Sequence, residues 1–390
     1  MIPLTVPNLS GNEGKYLQEC ISSTFVSSVG PFVNRFELMA AEATGAKYAV
    51  AASAGTTALH LALVALGVGR DDLVILPSFT FIASANAIAH CGAEPWLFDV
   101  DPESWTLDTD LLEDALASRT HTLNGSLVHT ETNRRVAAIM PVYTLGATAK
   151  MDAVKKIARR YRLPVVADAA AAIGARYRGK PLAGLADLTV ISFNGNKTIT
   201  SGGGGMVVGN NGKLLELVRH LSTQARAGRE YNHDRRGFNY RMTNLQAAVG
   251  CAQMEQMEKF IEAKRHIRRT YDEAFAEFPG IKLFPKPDWC ESTCWFSGIV
   301  IQDSTLPGLK KVIDLLGKEG IEARTFWKPV HLQPPYSNTP RATLTFSENI
   351  WSKILTLPCS TGLTCKEQDY IIQKLTEILR KIPRNRKYMP

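Results

Sequence analysis

The sequence predicts an α/β fold: a large domain on a mostly parallel, seven-stranded sheet, followed by a smaller α+β domain at the C-terminal end. Three observations carry this. Short apolar runs alternate with helical patterns from residue 48 to residue 224, the trace that a parallel sheet with crossover helices leaves in a sequence. An amphipathic stretch from Asn244 through Tyr271 then interrupts the alternation and reads as a link to a second set of elements. Finally, 390 residues are enough to bury two hydrophobic cores. The boundary is placed at residue 250, with 1–250 as the large domain and its N-terminal arm and 251–390 as the small domain.

In chain order, residues 1–45 read as an arm and a helix, Pro31-Phe32-Val33 leading into Arg35-Phe36-Glu37-Leu38-Met39-Ala40-Ala41. Tyr48–Ala52 is the first strand. Ser53-Ala54-Gly55-Thr56-Thr57 is a turn of small residues, and it opens a helix, Ala58 to Leu66, that Gly67 ends. Six more strands are expected at Leu73–Leu76, Glu94–Val100, Val136–Val142, Leu163–Ala167, Leu188–Ile191 and Gly205–Val208, with helices over 81–90, 108–118, 150–161 and 212–224. Ser118–Arg135 is polar and irregular and reads as a surface excursion. Beyond the link, Phe296–Ile301 and Ile321–Phe326 read as strands, and 308–319 and 365–381 as helices.

Composition excludes several classes. With 45% apolar and 21% charged residues the chain is an ordinary globular protein rather than a disordered one. No apolar stretch reaches the roughly 20 residues that span a bilayer, and Met1-Ile2-Pro3-Leu4-Thr5-Val6-Pro7 lacks the basic and apolar regions of a signal peptide. Seven cysteines, an odd number, fit reduced thiols and a cytoplasmic location. Cys290 and Cys294 have no second ligand pair at zinc spacing, so no metal is expected. The net charge of +8 suits nucleic acid or an anionic small molecule. Its clusters are Arg226 to Arg241 and the tail from Lys381 to Lys387, the latter read as a solvated end.

Four segments carry chemistry, and each ends a strand. The Gly55-Thr56 turn presents free backbone N–H groups at a helix start, a natural seat for a phosphate. Phe81, in Pro77-Ser78-Phe79-Thr80-Phe81, can cover one face of a flat ring. Asp168 follows Leu163-Pro164-Val165-Val166-Ala167, and on its own it also suits the N-cap of a helix over Ala169–Ile173. Lys197 lies in Ser192-Phe193-Asn194-Gly195-Asn196-Lys197, ahead of the glycine run Gly202 to Gly205. A carboxylate at one strand end and an amine at the next suit pyridoxal 5′-phosphate: the first keeps the ring nitrogen protonated and the second forms a Schiff base. Ligands of open α/β sheets gather at the strands' carboxyl ends.

These segments, with Gly30-Pro31-Phe32-Val33, Gly237-Phe238-Asn239-Tyr240-Arg241-Met242 and His331-Leu332-Gln333-Pro334, resemble the DegT/DnrJ/EryC1/StrS nucleotide-sugar aminotransferases. These belong to the fold-type I, aspartate aminotransferase-like pyridoxal phosphate enzymes. The Asn-Gly-Asn-Lys loop, the Gly-Phe-Asn-Tyr-Arg-Met-Thr-Asn run and the polar excursion look most like the branch that aminates UDP-linked 4-keto-6-deoxy-N-acetylhexosamines for bacillosamine and legionaminic acid.

The resemblance implies roles. Lys197 would hold the cofactor and shuttle the proton, Asp168 would pair with the pyridine nitrogen, and Phe81 would stack on the ring. Gly55, Thr56 and Ser192 would bind the phosphate. Asn239 would reach the phosphate of a neighbouring subunit, which makes the active unit a homodimer. Arg324, Lys328 and His331 would approach the sugar nucleotide, and L-glutamate would donate the amine. Nucleic acid and membrane partners are not expected.

Three positions depart from the family. Ala167 stands for an acid, Ala171 for a polar residue near the cofactor, and Tyr143 for a histidine. Rival readings are a sugar dehydratase, which carries histidine at the lysine position, and C3 amination of a dTDP- or GDP-linked keto-sugar or of a cyclitol ketone. A pyridoxal-phosphate-binding regulator is the third rival.

Overall fold

A computed structural model describes residues 1–228, 230–302 and 308–381. The basic tail beyond Lys381 lies outside the described residues.

Seven strands form the central sheet: β1 Tyr48–Ala52, β2 Leu73–Pro77, β3 Glu94–Phe98, β4 Arg134–Ile139, β5 Val166–Asp168, β6 Leu188–Ser192 and β7 Gly205–Gly209. Their order is β3-β2-β4-β5-β6-β7-β1, with β4 joined to β5 through the parallel bridges Ile139↔Val165 and Val142↔Asp168. Strands β2 to β6 run parallel; β7 is antiparallel to both its neighbours. The expected mostly parallel seven-stranded sheet is what the chain forms. Both faces are covered, so the strands read as continuous apolar runs. Side chains alternate between two cores. Ala51, Ile75, Trp96, Ile191 and Met206 pack on one side with Phe36 and Val154, and Ala52, Leu76, Leu97, Val190 and Val207 on the other with Leu61 and Ile88.

Helices Ile82–His90, Thr109–Arg119, Met151–Tyr161 and Gly212–Ser222 lie within a residue or two of the expected positions. Three expectations are corrected. The arm, expected ahead of a single helix, carries a helix of its own, Glu13–Ser22, before the expected one at Pro31–Thr44. The polar excursion is an ordered hairpin, Thr120–Leu123 with Ser126–His129, whose Asn124 and Gly125 both adopt positive φ as a tight two-residue turn requires. It pairs with the start of β4 through Val128↔Arg135 and His129↔Arg134. No helix follows Asp168, which enters a turn instead.

The amphipathic link is two helices, Asn244–Met254 and Met257–Phe275. Thr243 caps the first, accepting from the Gln246 N–H at 3.2 Å. Beyond them an antiparallel sheet runs in the order β8-β9-β11-β10, where β8 is Ile281–Leu283, β9 Ser297–Ile301, β10 Arg324–Thr325 and β11 Ile354–Leu357. Ile321 makes only a bridge, to Ile2 of the N-terminal arm. The core under this sheet joins Tyr271, Ile299, Leu355 and Ile371 to Leu4 of the N-terminal arm and to Phe79 and Trp105 from the large sheet's side. That continuity fixes the small sheet against the carboxyl ends of β2 and β3. A buried lysine adds a tie: Lys264 Nζ donates to the carbonyls of Trp295 (2.9 Å) and Cys359 (2.6 Å).

Candidate active site

Because β2, β5 and β6 are parallel, their carboxyl ends open on one edge of the sheet. A cavity of about 510 Å³ lies there, roofed by Trp295, Phe326 and Trp327 from the small sheet's side. Its wall includes Gly55, Thr56, Phe81, Asp168, Ser192, Lys197 and Arg324. Seven of the ten residues singled out in the sequence are thereby brought together.

Asp168 ends β5 and is buried. Its Oδ2 accepts from Ser84 Oγ at 2.6 Å and its Oδ1 from the Ala170 N–H at 3.1 Å. Burial pushes its pKa up; Ser84, Ala170 and the charge of Lys197 oppose that. Among the described residues no cation lies within ion-pair distance of it. A buried, hydrogen-bonded carboxylate that lacks a cation fits a protonated ring nitrogen.

Lys197 is fixed by a turn, its N–H donating to Asn194 C=O at 3.0 Å. Its ammonium sits 3.8 Å from the centroid of the Trp295 ring. Burial lowers its pKa to about 8, with Asp168 partly opposing. An amine that loses its proton that readily is suited to nucleophilic attack and proton transfer.

The turn before helix Gly55–Ala65 is shaped for an anion. A Cβ on Gly55 would meet Ser192 Cβ at 2.9 Å, and one on Gly205 would meet Ala54 O at 2.5 Å, so only glycines allow this approach. Thr57 turns its hydroxyl back to Ala54 O (2.9 Å), leaving Thr56 on the cavity wall. Phe81 is 56% exposed, its ring 6.1 Å from that of Trp327. The residues present fit pyridoxal phosphate: carboxylate, amine, anion seat and aromatic wall all face one space.

Three expected site residues are not on this wall. His331 is buried, with Nδ1 2.7 Å from Ser78 Oγ and Nε2 3.1 Å from Glu348 Oε1. Both ring nitrogens are engaged, so His331 ties the segment after β10 to the end of β2 instead of facing the cavity. Lys328 is exposed and off the wall, just before Val330, whose N–H donates to Ser78 O at 2.8 Å. Asn239 is exposed and bridges Thr223, away from the cavity of its own chain.

Ser84, Trp295 and Trp327 escaped the sequence reading. Ser84 lies three residues beyond Phe81 in the first turn of Ile82–His90, a spacing that puts it beside Phe81 and was legible. Nothing local marked Trp295. Of the departures, Ala171 lines the cavity without offering a side-chain polar group, and Tyr143 is buried beside it, its hydroxyl without a hydrogen-bond partner among the described residues.

The model of the DegT/DnrJ/EryC1/StrS aminotransferase family matches residues 7–376, and the chain belongs to that family. It is a pyridoxal-phosphate-dependent sugar aminotransferase of fold type I. Among curated relatives, the GDP-perosamine synthase of Caulobacter vibrioides is 38% identical, covering 97% of this chain and 98% of its own. The GDP-perosamine synthase of Vibrio cholerae is 36% identical, covering 94% and 96%. A family aminotransferase of Brucella abortus superposes with a TM-score of 0.86 at 29% identity, over 95% of this chain and 96% of its own. The nucleotide in the relatives' names is GDP, so the UDP-linked branch expected from the loop motifs is not the one these relatives carry.

Proposed function

We propose that the protein transfers an amino group from L-glutamate to the keto carbon of a GDP-linked keto-6-deoxysugar, acting as a homodimer in the cytoplasm. The observation that carries the chemistry is the convergence of Asp168 and Lys197 on one cavity. The choice of GDP rests on the names of the relatives at 36% and 38% identity, and it replaces the UDP reading.

When bound, pyridoxal phosphate supplies an electron sink that lets the C–H bond beside the transferred nitrogen ionise. Asp168 would hold its charge against the ring nitrogen, its own orientation set by Ser84 and Ala170. Gly55, Thr56 and Ser192 would take the phosphate and Phe81 one face of the ring. Lys197, neutral above a pH of about 8 and partly so below it, would take the proton from the donor carbon and return it in the second half. Trp295 and Trp327 narrow the space above, which limits water. Arg324, on the wall and ion-paired to Glu322 at 2.5 Å, is placed for a substrate phosphate. The exposed Asn239, off its own cavity, supports a site completed by a second copy. Seven free cysteines fit a reducing compartment.

The test is to supply L-glutamate with either a GDP-linked or a UDP-linked keto-6-deoxyhexose. The GDP sugar is expected to be aminated, and product NMR assigns the carbon. Amination of the UDP sugar alone would overturn the nucleotide assignment.

A further inference from the structure

Trp295 meets the lysine loop at two points. Its indole N–H donates to the carbonyl of Asn196, the residue before Lys197, at 2.7 Å, and its ring face lies 3.8 Å from the Lys197 ammonium. One side chain therefore fixes both the backbone that carries the amine and the amine itself. The ring has little freedom to move. Trp295 is 3% exposed, its backbone N–H donates to Leu145 C=O at 3.1 Å, and its backbone carbonyl takes the Lys264 ammonium at 2.9 Å. Phe296 and Trp327 lie against the indole, with centroids 4.3 and 5.9 Å away. Among the described residues no carboxylate lies within ion-pair distance of Lys197, and the charged residues lining the cavity are Asp168, Lys197 and Arg324.

We propose that Trp295 is a positioning residue whose indole face seats the Lys197 ammonium whenever that amine is not joined to the cofactor. An aromatic face attracts a cation through its quadrupole and gains nothing comparable from a neutral amine. The seat therefore holds the protonated form near the reacting carbon, and releases the amine when the proton leaves. Desolvation lowers the pKa of Lys197 and Asp168 limits the fall; a cation held on the ring face adds to that limit. This role rests on Lys197 being the cofactor lysine.

Substituting the indole outright changes packing, so the test keeps its shape. Tryptophan carrying one, two or three ring fluorines, which weaken the quadrupole at nearly constant volume, is incorporated at position 295. Two measurements follow. The acid strength of Lys197 in the full-length apoprotein is read by competitive acetylation across pH with mass spectrometry of its peptide. The pH profile of the glutamate half-reaction is read in the holoenzyme. The expected result is a stepwise fall in the Lys197 pKa, about 0.5–1 unit by the third fluorine, with the half-reaction profile moving the same way. An unmoved pKa and profile across the series would show that Trp295 only packs, and would overturn the proposal. The apoprotein arm reads Lys197 whether or not it is the lysine that holds the cofactor in the holoenzyme. A cofactor found on another lysine would instead count against the proposed function.

Discussion

Ser84 Oγ lies 2.6 Å from Asp168 Oδ2, and both groups are buried, so the hydroxyl hydrogen is committed to the carboxylate. This bond favours the ionised acid, opposing the rise that burial causes. A hydrogen bond to a charged group contributes about 1.5–3 kcal/mol. Ser84→Ala is therefore expected to raise the Asp168 pKa further and to weaken pyridoxal phosphate binding about 10- to 100-fold, measured by equilibrium titration of the apoprotein. Unchanged affinity would mean that the hydroxyl does not support the acid.

The amine's acid strength predicts a pH dependence. Lys197 has its pKa lowered from 10.5 to about 8, so the neutral, attacking fraction grows as pH rises through that value. The rate at which apoprotein takes up cofactor should rise with pH, reach half its plateau near pH 8, and level off above. A half-point near the ordinary lysine value would contradict the buried setting.

Lys264 tests the small sheet's attachment. Its ammonium serves the Trp295 and Cys359 carbonyls from a buried position. Lys264→Ala leaves both acceptors unpaired and removes the buried stem. It should cost about 2–5 kcal/mol of stability, read by urea unfolding. A loss below about 0.5 kcal/mol would show that water replaces the amine without penalty.

His331 separates a tie from a substrate contact. Its ring bridges Ser78 and Glu348, off the cavity wall. His331→Ala should lower the melting temperature by a few degrees, and with Ser78→Ala should show coupling in a double-mutant cycle. A raised KM for the sugar nucleotide at unchanged melting temperature would restore the sequence-based role.

The large sheet was legible because each strand is an apolar run bounded by turn residues, and because parallel order puts their ends together. Asp168 and Lys197 were readable as strand-end residues for the same reason. The hairpin after Arg119 was not read because its first strand is polar and largely exposed and its second is only four residues long. Trp295 was not legible. It reaches Lys197 from the segment just before β9, almost a hundred residues downstream, and such long-range contacts leave no local period. For His331, family likeness pointed to the substrate, and nothing in the sequence reveals its bonds to Ser78 and Glu348. The nucleotide was beyond reach for a related reason: loop motifs near the lysine report on the shared chemistry rather than on what holds the nucleotide.

The central claim is that Lys197 carries the cofactor over the acid of Asp168. The most direct measurement is to reduce the holoenzyme with borohydride, digest it, and find the modified lysine by mass spectrometry, in the wild-type protein and in Lys197→Ala. The account predicts a pyridoxyl group on Lys197, with no labelled peptide and at least about a 100-fold loss of turnover in the variant. Label on any other lysine of the wild type, or full turnover in Lys197→Ala, would contradict it.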